Sequence, residues 1–474
     1  MKDKKLSINF IVGLLGILLV VFFGLVIAKT GAWAFGIIPL VLAAIILAYH
    51  IFKNPFLGFL LIIFFLPFER VPSYELGGVD IRINTILGFM TIIAWLLTIL
   101  FNGKKYKIQP NVLAIPLVLF VMALVLSMTQ ALNMDRALQV LVFILFVIAL
   151  SIMTVNMLSD MDKLKKTILI LFLSSLVTCV FGLFQFGGDV IGLPASLTLI
   201  KTGYTSATFG FPRIQAFSME PLYFANYLLI PLSLGLAYFF AKVNLIKRWY
   251  LIGILALFLV NFVLTVSRGG YVGLAATLLV FILFYFHQVF TLRNLAIVLV
   301  FGLAFWGVYF ALSQGEYRAT KEFIGHATLQ DRNKGESVQG RLQAFEVAIN
   351  IFKRNPITGI GIGNYGPYIK GYPASAPKTG WPIVNNQYIE LAAEAGLAGL
   401  TSFGLIIIIL IYRSLLAFKK TQDLFLKATI MGFLAAFIGI LAQYNFFSVL
   451  YIIHIWILIG LMVGVQNLVL RKQD

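Results

Sequence analysis

The sequence predicts an all-α polytopic membrane protein, and three observations support this fold class. Of the 474 residues, 61% are hydrophobic and 11% are charged, whereas a soluble domain carries about 25% charged residues. Apolar runs close to the ~20 residues that a spanning helix needs recur along the chain. The basic residues cluster at the ends of these runs, so the net charge of +18 indicates orientation in a bilayer and not a nucleic-acid partner.

The N-terminal segment has a short basic start at residues 1–7, followed by an apolar run over 8–28. The apolar core of a secretory signal has about 7–15 residues, and this run is longer. A second apolar run follows almost at once. The segment is therefore predicted to be an uncleaved first helix with its N-terminus in the cytoplasm.

Further spans are predicted along the rest of the chain. They lie near residues 32–52, 55–68, 83–101, 111–129, 137–157, 167–186, 222–241, 249–266, 270–287, 294–312, 397–412, 428–445 and 449–469. The run at 55–68 is short and lies between Pro55 and Pro67, so it is predicted to be tilted, re-entrant or merged with its neighbour. The predicted total is about 12 to 14 transmembrane helices.

The loops predict the orientation and the domains. If every run crosses, the Lys- and Arg-rich loops share one side, which is cytoplasmic by the positive-inside rule. The long polar loops then lie outside, where there is no ATP, so a reaction there needs an activated substrate delivered through the membrane. We predict an N-terminal helix bundle over 1–312, an extracytoplasmic catalytic loop with amphipathic helices over 313–396, and C-terminal helices over 397–474.

The outer loop 187–221 ends in FGFPRIQAFSMEP, which contains Arg213 and Glu220. One interpretation is a salt-bridged start of the next helix, with Pro221 in its first turn. The alternative is a site, in which Arg213 binds an anionic headgroup and Glu220 serves as a base.

The turn TVSRGGYVG joins two spans with almost no loop, so Arg268 is held at the outer membrane boundary. Gly269 and Gly270 beside it allow close approach of backbone. Snorkelling to lipid phosphates would explain a terminal arginine. An ionisable residue at the rim of a helix bundle is also a candidate functional residue.

Residues 340–355 are predicted to form an amphipathic helix at the membrane interface. Leu342, Phe345, Ile349 and Phe352 share one face, and the sequence Asn-Pro ends the helix. The GIGIGNY sequence that follows opens no βαβ unit, which excludes a dinucleotide fingerprint. It remains a candidate hinge, or a backbone nest for phosphate oxygens.

Asn385, Asn386, Tyr388 and Glu390 open the next predicted helix, with an asparagine as its N-cap. The free N–H groups of such a helix start suit an anion. The four histidines are scattered and no HExxH or GxSxG motif occurs. We therefore predict no metal, no cofactor and no serine hydrolase chemistry.

Three sequence motifs together resemble the O-antigen ligase and O-antigen polymerase superfamily. They are SRG at 267–269, GRxxxxxxAxxxFxxNPxxGxGxGN at 340–364 and NNxYxExxAExGxxG at 385–399. The resemblance covers about 205–400 and implies a metal-independent glycosyltransferase with a GT-C-like helical membrane fold. It implies an undecaprenyl-pyrophosphate-linked glycan as donor, a glycan as acceptor, and a location in the bacterial cytoplasmic membrane. A flippase and a chain-length regulator are further expected partners.

The resemblance also implies roles for individual residues. Arg268 and Arg341 match the family arginines that hold the pyrophosphate and stabilise the leaving group. Ligases of the family have a histidine where this chain has Asn385, and an amide orients a hydroxyl but cannot deprotonate it at neutral pH. Glu220 or Glu390 is then the candidate base, unless the reaction is dissociative enough to need little base assistance.

Three functions remain open on the sequence. The missing histidine favours a polymerase of O-antigen, capsule or exopolysaccharide units, and a ligase that moves the finished glycan to a lipid or protein is the nearest alternative. A lipid-linked glycan transporter would place charged residues deep inside several spans. Here the charge is concentrated in one outer region.

Overall fold

The structure is a computed structural model that describes residues 34–70, 73–76, 79–102, 107–209, 211–291, 336–371 and 380–471. It confirms the all-α polytopic membrane class. Strand in these residues is limited to one short antiparallel hairpin, with Ser73 opposite Arg82. The predicted spans at 8–28 and 294–312 lie outside the described residues.

The elements are numbered in chain order. They are α1 (Ala34–Lys53), α2 (Pro55–Phe65), β1 (Ser73–Leu76), β2 (Val79–Arg82), α3 (Ile83–Asn102), α4 (Ala114–Ser127), α5 (Met134–Met157), α6 (Met161–Val190), α7 (Ala195–Thr198), α8 (Ser206–Phe209), α9 (Pro221–Ala241), α10 (Arg248–Leu264), α11 (Arg268–Val289), α12 (Glu336–Arg354), α13 (Tyr365–Ile369), α14 (Gln387–Lys420), α15 (Leu424–Gln443) and α16 (Ile453–Leu470). Short 3₁₀ turns cover Met128–Gln130 and Thr202–Tyr204.

In the described residues, 8 helices are long and apolar enough to cross a membrane, or 9 if the bent pair α1–α2 counts as one span. The α1–α2 pair bends by 120° at Asn54. The Asn54 side chain accepts a bond from the Phe56 N–H and Pro55 follows it, so the first helix cannot continue. The run at 55–68, predicted to be tilted, re-entrant or merged with its neighbour, thus follows α1 after a sharp bend. The total of 12 to 14 helices stays a prediction.

Helices α9, α15 and α16 form the centre of the bundle. Helix α9 packs on α15, and α15 packs on α11 and α16. Nearly every residue of α9 and α16 is buried, because a helix that is apolar on all sides is stable only inside protein or lipid. A bond of 2.8 Å between the buried hydroxyls of Tyr238 and Thr429 links α9 to α15.

Helix α12 packs against α14 through a second, smaller apolar cluster. Its buried side chains are Ala348 and Ile351, whereas Leu342 and Ile349 are 61% and 41% exposed. The helix and its end before Asn355 are as predicted. However, the face predicted from large apolar residues points partly outward, and a smaller alanine-containing face makes the contact with protein.

The helix that contains the predicted span at 397–412 begins earlier than predicted. Helix α14 starts at Gln387 and runs through the predicted boundary between loop and span, with a kink at Gly396, where φ is 63°. Only glycine adopts this backbone conformation without strain. The polar helix start and the apolar span are therefore one bent element.

Candidate functional site

A cavity of about 260 Å³ opens where α9, α11 and α12 meet. We call it the arginine cavity. Its lining residues are Tyr204, Arg213, Glu220, Pro221, Leu222, Val266, Ser267, Arg268, Gly269, Arg341 and Phe446. Four residues predicted from three separate sequence segments, namely Arg213, Glu220, Arg268 and Arg341, thus line one space.

Glu220 lies at the cavity because it is the N-cap residue of α9. Pro221 follows in the first turn, as predicted, since proline needs no helical N–H partner there. The Glu220 side chain makes no capping bond and the residue is exposed. Glu220 therefore lines the cavity with a carboxylate that does not cap its own helix.

Arg268 is held by a tight turn between α10 and α11. The Ser267 hydroxyl caps α11 by accepting a bond of 3.2 Å from the Gly270 N–H. A Cβ at Gly269 would lie 2.8 Å from Cβ of Phe446, and one at Gly270 would lie 2.9 Å from Cβ of Ala225. Both distances are too short for a side chain, so the two glycines are needed for this packing.

Arg213 lies in the segment between α8 and α9. Its N–H donates to the Tyr204 carbonyl at 2.9 Å, and its guanidinium lies 5.6 Å from the centre of the Tyr204 ring. Burial lowers the pKa of Arg213, partly opposed by Tyr204, Tyr271 and Glu220, while the charge of Arg268 lowers it further. Arg213 therefore remains positively charged although the positive charge of Arg268 is nearby.

Arg341 reaches the cavity from the second turn of α12. The residue is exposed at the cavity rim, yet the surrounding protein and then the Arg268 charge lower the pKa of its guanidinium. Arg268 therefore repels both Arg213 and Arg341, which makes it the central one of the three arginines. A bound anion would relieve this repulsion.

Two helix N-termini add to the positive potential of the cavity. Helices α9 and α11 both begin at its wall, and each N-terminus carries roughly half a positive charge. The three arginines and these helix ends suit a phosphate-bearing ligand. Glu220 is the cavity's only acidic lining residue in the described part of the chain.

The other predicted site residues lie at the start of α14 and do not line the arginine cavity. Asn386 is the N-cap, as predicted, and accepts bonds from the Tyr388 and Ile389 N–H groups, both 3.1 Å. Asn385 has a φ of 60°, a conformation that asparagine tolerates. Asn386 also donates to the Asn445 side chain at 3.2 Å, next to the cavity residue Phe446.

Tyr388 and Glu390 make their bonds within the protein. The Tyr388 hydroxyl donates to the Leu441 carbonyl at 2.8 Å. Glu390 is 8% exposed, and its carboxylate accepts a bond of 2.6 Å from the Val384 N–H. Their predicted roles in binding and catalysis stay predictions.

Glu394 closes the glycine-rich loop, a contact that sequence reasoning missed. Its carboxylate accepts bonds from the N–H groups of Gly363, at 2.8 Å, and Tyr365, at 2.9 Å. A Cβ at Gly359 would collide with the Glu394 backbone. The backbone nest considered for phosphate thus holds a carboxylate of this chain, and the loop packs on the α14 kink. We call Glu390, Glu394 and this loop the glutamate platform.

A buried polar network behind the cavity was also missed. His454 Nδ1 lies 3.4 Å from a Glu69 oxygen, and its Nε2 lies 2.7 Å from the Asn226 side-chain oxygen. Asn226 in turn donates to Gln443. The only signal in the sequence was the presence of polar residues inside apolar spans. Among the described residues, no three His, Cys, Asp or Glu side chains form a group that could hold a metal.

Comparison with known proteins supports one family. Residues 253–404 match the family model described as O-antigen ligase. The matched range contains Arg268, Arg341 and the glutamate platform, whereas Arg213 and Glu220 precede it. This confirms the resemblance to the O-antigen ligase and polymerase superfamily and supports a glycan-handling membrane enzyme. No curated protein matches the chain.

Proposed function

We propose that this protein is a membrane glycosyltransferase that polymerises undecaprenyl-pyrophosphate-linked oligosaccharide units into a surface polysaccharide. The polysaccharide would be an O-antigen, capsule or exopolysaccharide, made at the outer face of the bacterial cytoplasmic membrane. The observation that carries the proposal is the arginine cavity. It combines three guanidinium groups with the carboxylate of Glu220, which makes no helix-capping bond. Cations fixed where negative charge develops are an effective form of transition-state stabilisation.

In the proposed reaction, the acceptor hydroxyl oxygen forms a bond to the anomeric carbon of the donor. The bond from that carbon to the phosphate oxygen breaks, and its electron pair leaves with undecaprenyl pyrophosphate. Arg268 and Arg341 stabilise the charge that grows on the leaving group, and Arg213 helps to bind the pyrophosphate. The hydroxyl proton moves to Glu220.

The proton acceptor is assigned to Glu220 rather than to Glu390. Glu220 is exposed at the cavity, whereas the Glu390 carboxylate is buried and already bonded to the Val384 N–H. A general base must reach the proton that it removes. Asn385 would orient the acceptor hydroxyl from the start of α14, and Asn386 and Tyr388 would hold that helix start in position.

A ligase that transfers a finished glycan to a lipid or protein is the second candidate, because the matching family model is described as O-antigen ligase. Asn385 at the position of the ligase histidine favours the polymerase. The two activities differ in the acceptor and share the donor site. The same cavity chemistry therefore serves both.

The experiment that tests the proposal uses purified protein in nanodiscs with an undecaprenyl-pyrophosphate oligosaccharide and no added metal. The polymerase is expected to produce a ladder of longer lipid-linked glycans and to release undecaprenyl pyrophosphate. Arg268→Ala and Arg341→Ala are expected to lose both products, while Lys166→Ala, at an exposed lysine of α6, serves as the matched control.

Other outcomes would replace the proposal. Products that form only when a separate lipid or protein acceptor is added would identify a ligase. Absence of turnover with several donors, together with translocation of lipid-linked glycan in vesicles, would identify a transporter. If Asn385→His had no effect and Glu220→Gln remained fully active, both role assignments would be abandoned.

A further inference from the structure

A short irregular segment, residues 215–219, leads into Glu220 and is bonded to neighbouring parts of the chain along its length. Its first two N–H groups both donate to the side-chain oxygen of Gln185, each at 2.9 Å. The Phe217 carbonyl accepts a bond of 2.9 Å from the Arg70 N–H. These bonds fix the path by which the chain enters α9, and with it the backbone of Glu220.

The side chain of Glu69, which follows α2, makes the contact next to Glu220. Its Oε2 accepts a bond of 3.4 Å from the N–H of Met219, one residue before Glu220. The Glu69 side chain is 12% exposed, so protein surrounds most of it. A bond of this length is weak by itself. The position of the Glu69 carboxylate therefore depends on what holds its other oxygen.

His454 lies against that other oxygen. Its Nδ1 is 3.4 Å from Oε1 of Glu69, and its Nε2 is 2.7 Å from the side-chain oxygen of Asn226. Asn226 on α9 donates in turn to Gln443 on α15. His454 is 1% exposed. The imidazole cannot move away from Glu69 without breaking buried hydrogen bonds, which costs free energy.

This network reaches the wall of the arginine cavity at two places. One is Met219, beside Glu220. The other is Phe446, a lining residue whose N–H donates to the Gln443 carbonyl at 2.8 Å. Burial of an acid and an imidazole in an apolar bundle costs desolvation free energy, and apolar side chains would fill such a space without that cost. The place where the network ends indicates what it stabilises, namely the wall that holds Glu220.

We propose that Glu69 and His454 are positioning residues for Glu220. His454 holds the Glu69 carboxylate, Glu69 holds Met219, and Glu220 is thereby kept at the reacting hydroxyl. This inference rests on the proposed function, because it uses Glu220 as the group that receives the acceptor proton. Glu69 and His454 do not line the cavity, so they act through Glu220 and not on the substrate. A misplacement of about 1 Å is enough to lower a rate about 10²-fold.

The first measurement separates turnover from binding of the leaving group, with the full chain in nanodiscs and the undecaprenyl-pyrophosphate oligosaccharide. Glu69→Ala is expected to lower kcat about tenfold to hundredfold. The inhibition constant of undecaprenyl pyrophosphate should stay unchanged, because the arginines remain in place. Glu69→Gln keeps a bonding atom for each partner and should retain most of kcat. Tyr238→Phe, which removes a buried hydroxyl bond at the far end of α9, is the matched control and should keep kcat.

Two substitutions of His454 test which contact matters. The amide of asparagine lies close to the place of a histidine Nδ1 and can donate to Glu69, whereas the amide of glutamine, one carbon longer, reaches toward Nε2 and Asn226. His454→Asn is therefore expected to retain about tenfold more kcat than His454→Gln. Thermal midpoints confirm that both variants are folded, and this pair decides the question if Glu69→Ala does not fold. Equal kcat in the two variants would overturn the assignment of His454.

Coupling between Glu69 and Glu220 distinguishes positioning from a merely structural role. In the Glu220→Gln background there is no base to position, so the addition of Glu69→Ala should lower kcat further by no more than about twofold. The same fold loss in both backgrounds would overturn the proposal. A weaker inhibition by undecaprenyl pyrophosphate in Glu69→Ala would also overturn it, because Glu69 would then act on the donor site.

Failure of the proposed transferase activity would be seen separately, as absence of undecaprenyl pyrophosphate release by the wild type. The positioning contact is also measured without turnover, by hydrogen–deuterium exchange of residues 215–220. Deuterium uptake there should rise in Glu69→Ala and stay at the wild-type level in Tyr238→Phe. Unchanged uptake in Glu69→Ala would show that Glu69 does not hold the segment.

Discussion

The arginine cavity and the glutamate platform both contain glutamate but use its carboxylate in opposite ways. Glu220 caps a helix without using its side chain, so its carboxylate remains available to the cavity. Glu394, in contrast, accepts two backbone N–H bonds at 2.8 and 2.9 Å. A carboxylate that makes no capping bond is suited to bind or transform a ligand, whereas a carboxylate bonded to backbone N–H groups stabilises the fold. This difference, more than residue type, separates the candidate site from its support.

The sharpest test of this comparison is Arg268→Ala. Removal of a cation at the leaving group is expected to lower turnover by about 10²- to 10³-fold, with a thermal midpoint close to that of the wild type. Product release is measured with the undecaprenyl-pyrophosphate donor. Arg268→Lys, which keeps the charge but loses the planar fork, should recover part of the activity. Full turnover of Arg268→Ala would show that the cavity is not the donor site.

Glu220 and Glu394 should respond differently when each is changed to glutamine: the first change should affect turnover and the second should affect stability. Glu220→Gln is expected to lower turnover by about 10²- to 10⁴-fold while the protein stays equally stable. Glu394→Gln is expected to lower the free energy of unfolding by about 1 to 3 kcal/mol, because an amide NH₂ would face a backbone N–H. Turnover and thermal midpoints are measured for both variants. If Glu394→Gln lost activity at an unchanged midpoint, the platform would belong to the active site.

The kink of α14 can be tested with two glycines of the same helix. Gly396→Ala would introduce a Cβ that collides with the Ile357 carbonyl at a φ of 63°, and we expect a loss of about 1 to 3 kcal/mol. A Cβ at Gly404 meets nothing within 4 Å, so Gly404→Ala should leave stability unchanged or raised. Thermal midpoints in the same detergent give the comparison. Equal midpoints for the two variants would contradict the close packing of the loop on the kink.

The smallest expected effect is that of Asn386→Ala at the start of α14. Loss of the two capping bonds is expected to cost about 1 kcal/mol of stability. Asn386→Asp retains the acceptor oxygen and should restore most of that stability. The alanine variant could keep its thermal midpoint but change the relative turnover with different glycan acceptors. That result would show that Asn386 contacts substrate and is not only a helix cap.

Much of the local structure could be predicted from the sequence because local forces determine it. The apolar runs that lie in the described residues form helices, most of them close to the predicted positions, Pro221 begins α9, and Asn386 caps α14. Helix α12 ends before Asn355 as predicted. Hydropathy, helix capping and proline geometry each act within a few residues, so a linear pattern contains their information.

The partners of the charged groups were decided by tertiary packing. Arg213, Glu220, Arg268 and Arg341 come from three separate segments, and the packing of α9, α11 and α12 brings them to one cavity. Glu394 could equally have faced a ligand, but the glycine-rich loop folds onto it. The pairing of Glu69 with His454 links residues far apart in the chain.

By itself the sequence determined that this is a helical membrane protein with polar segments between its apolar runs, because hydrophobicity and helix signals are additive along the chain. The tertiary structure decided which of those polar residues remain open to a ligand. That outcome depends on close contacts between different segments of the chain: a Cβ at Gly269 would meet Phe446, and a Cβ at Gly396 would meet the Ile357 carbonyl, so either would prevent the packing. Such contacts have no signature in any one stretch of sequence.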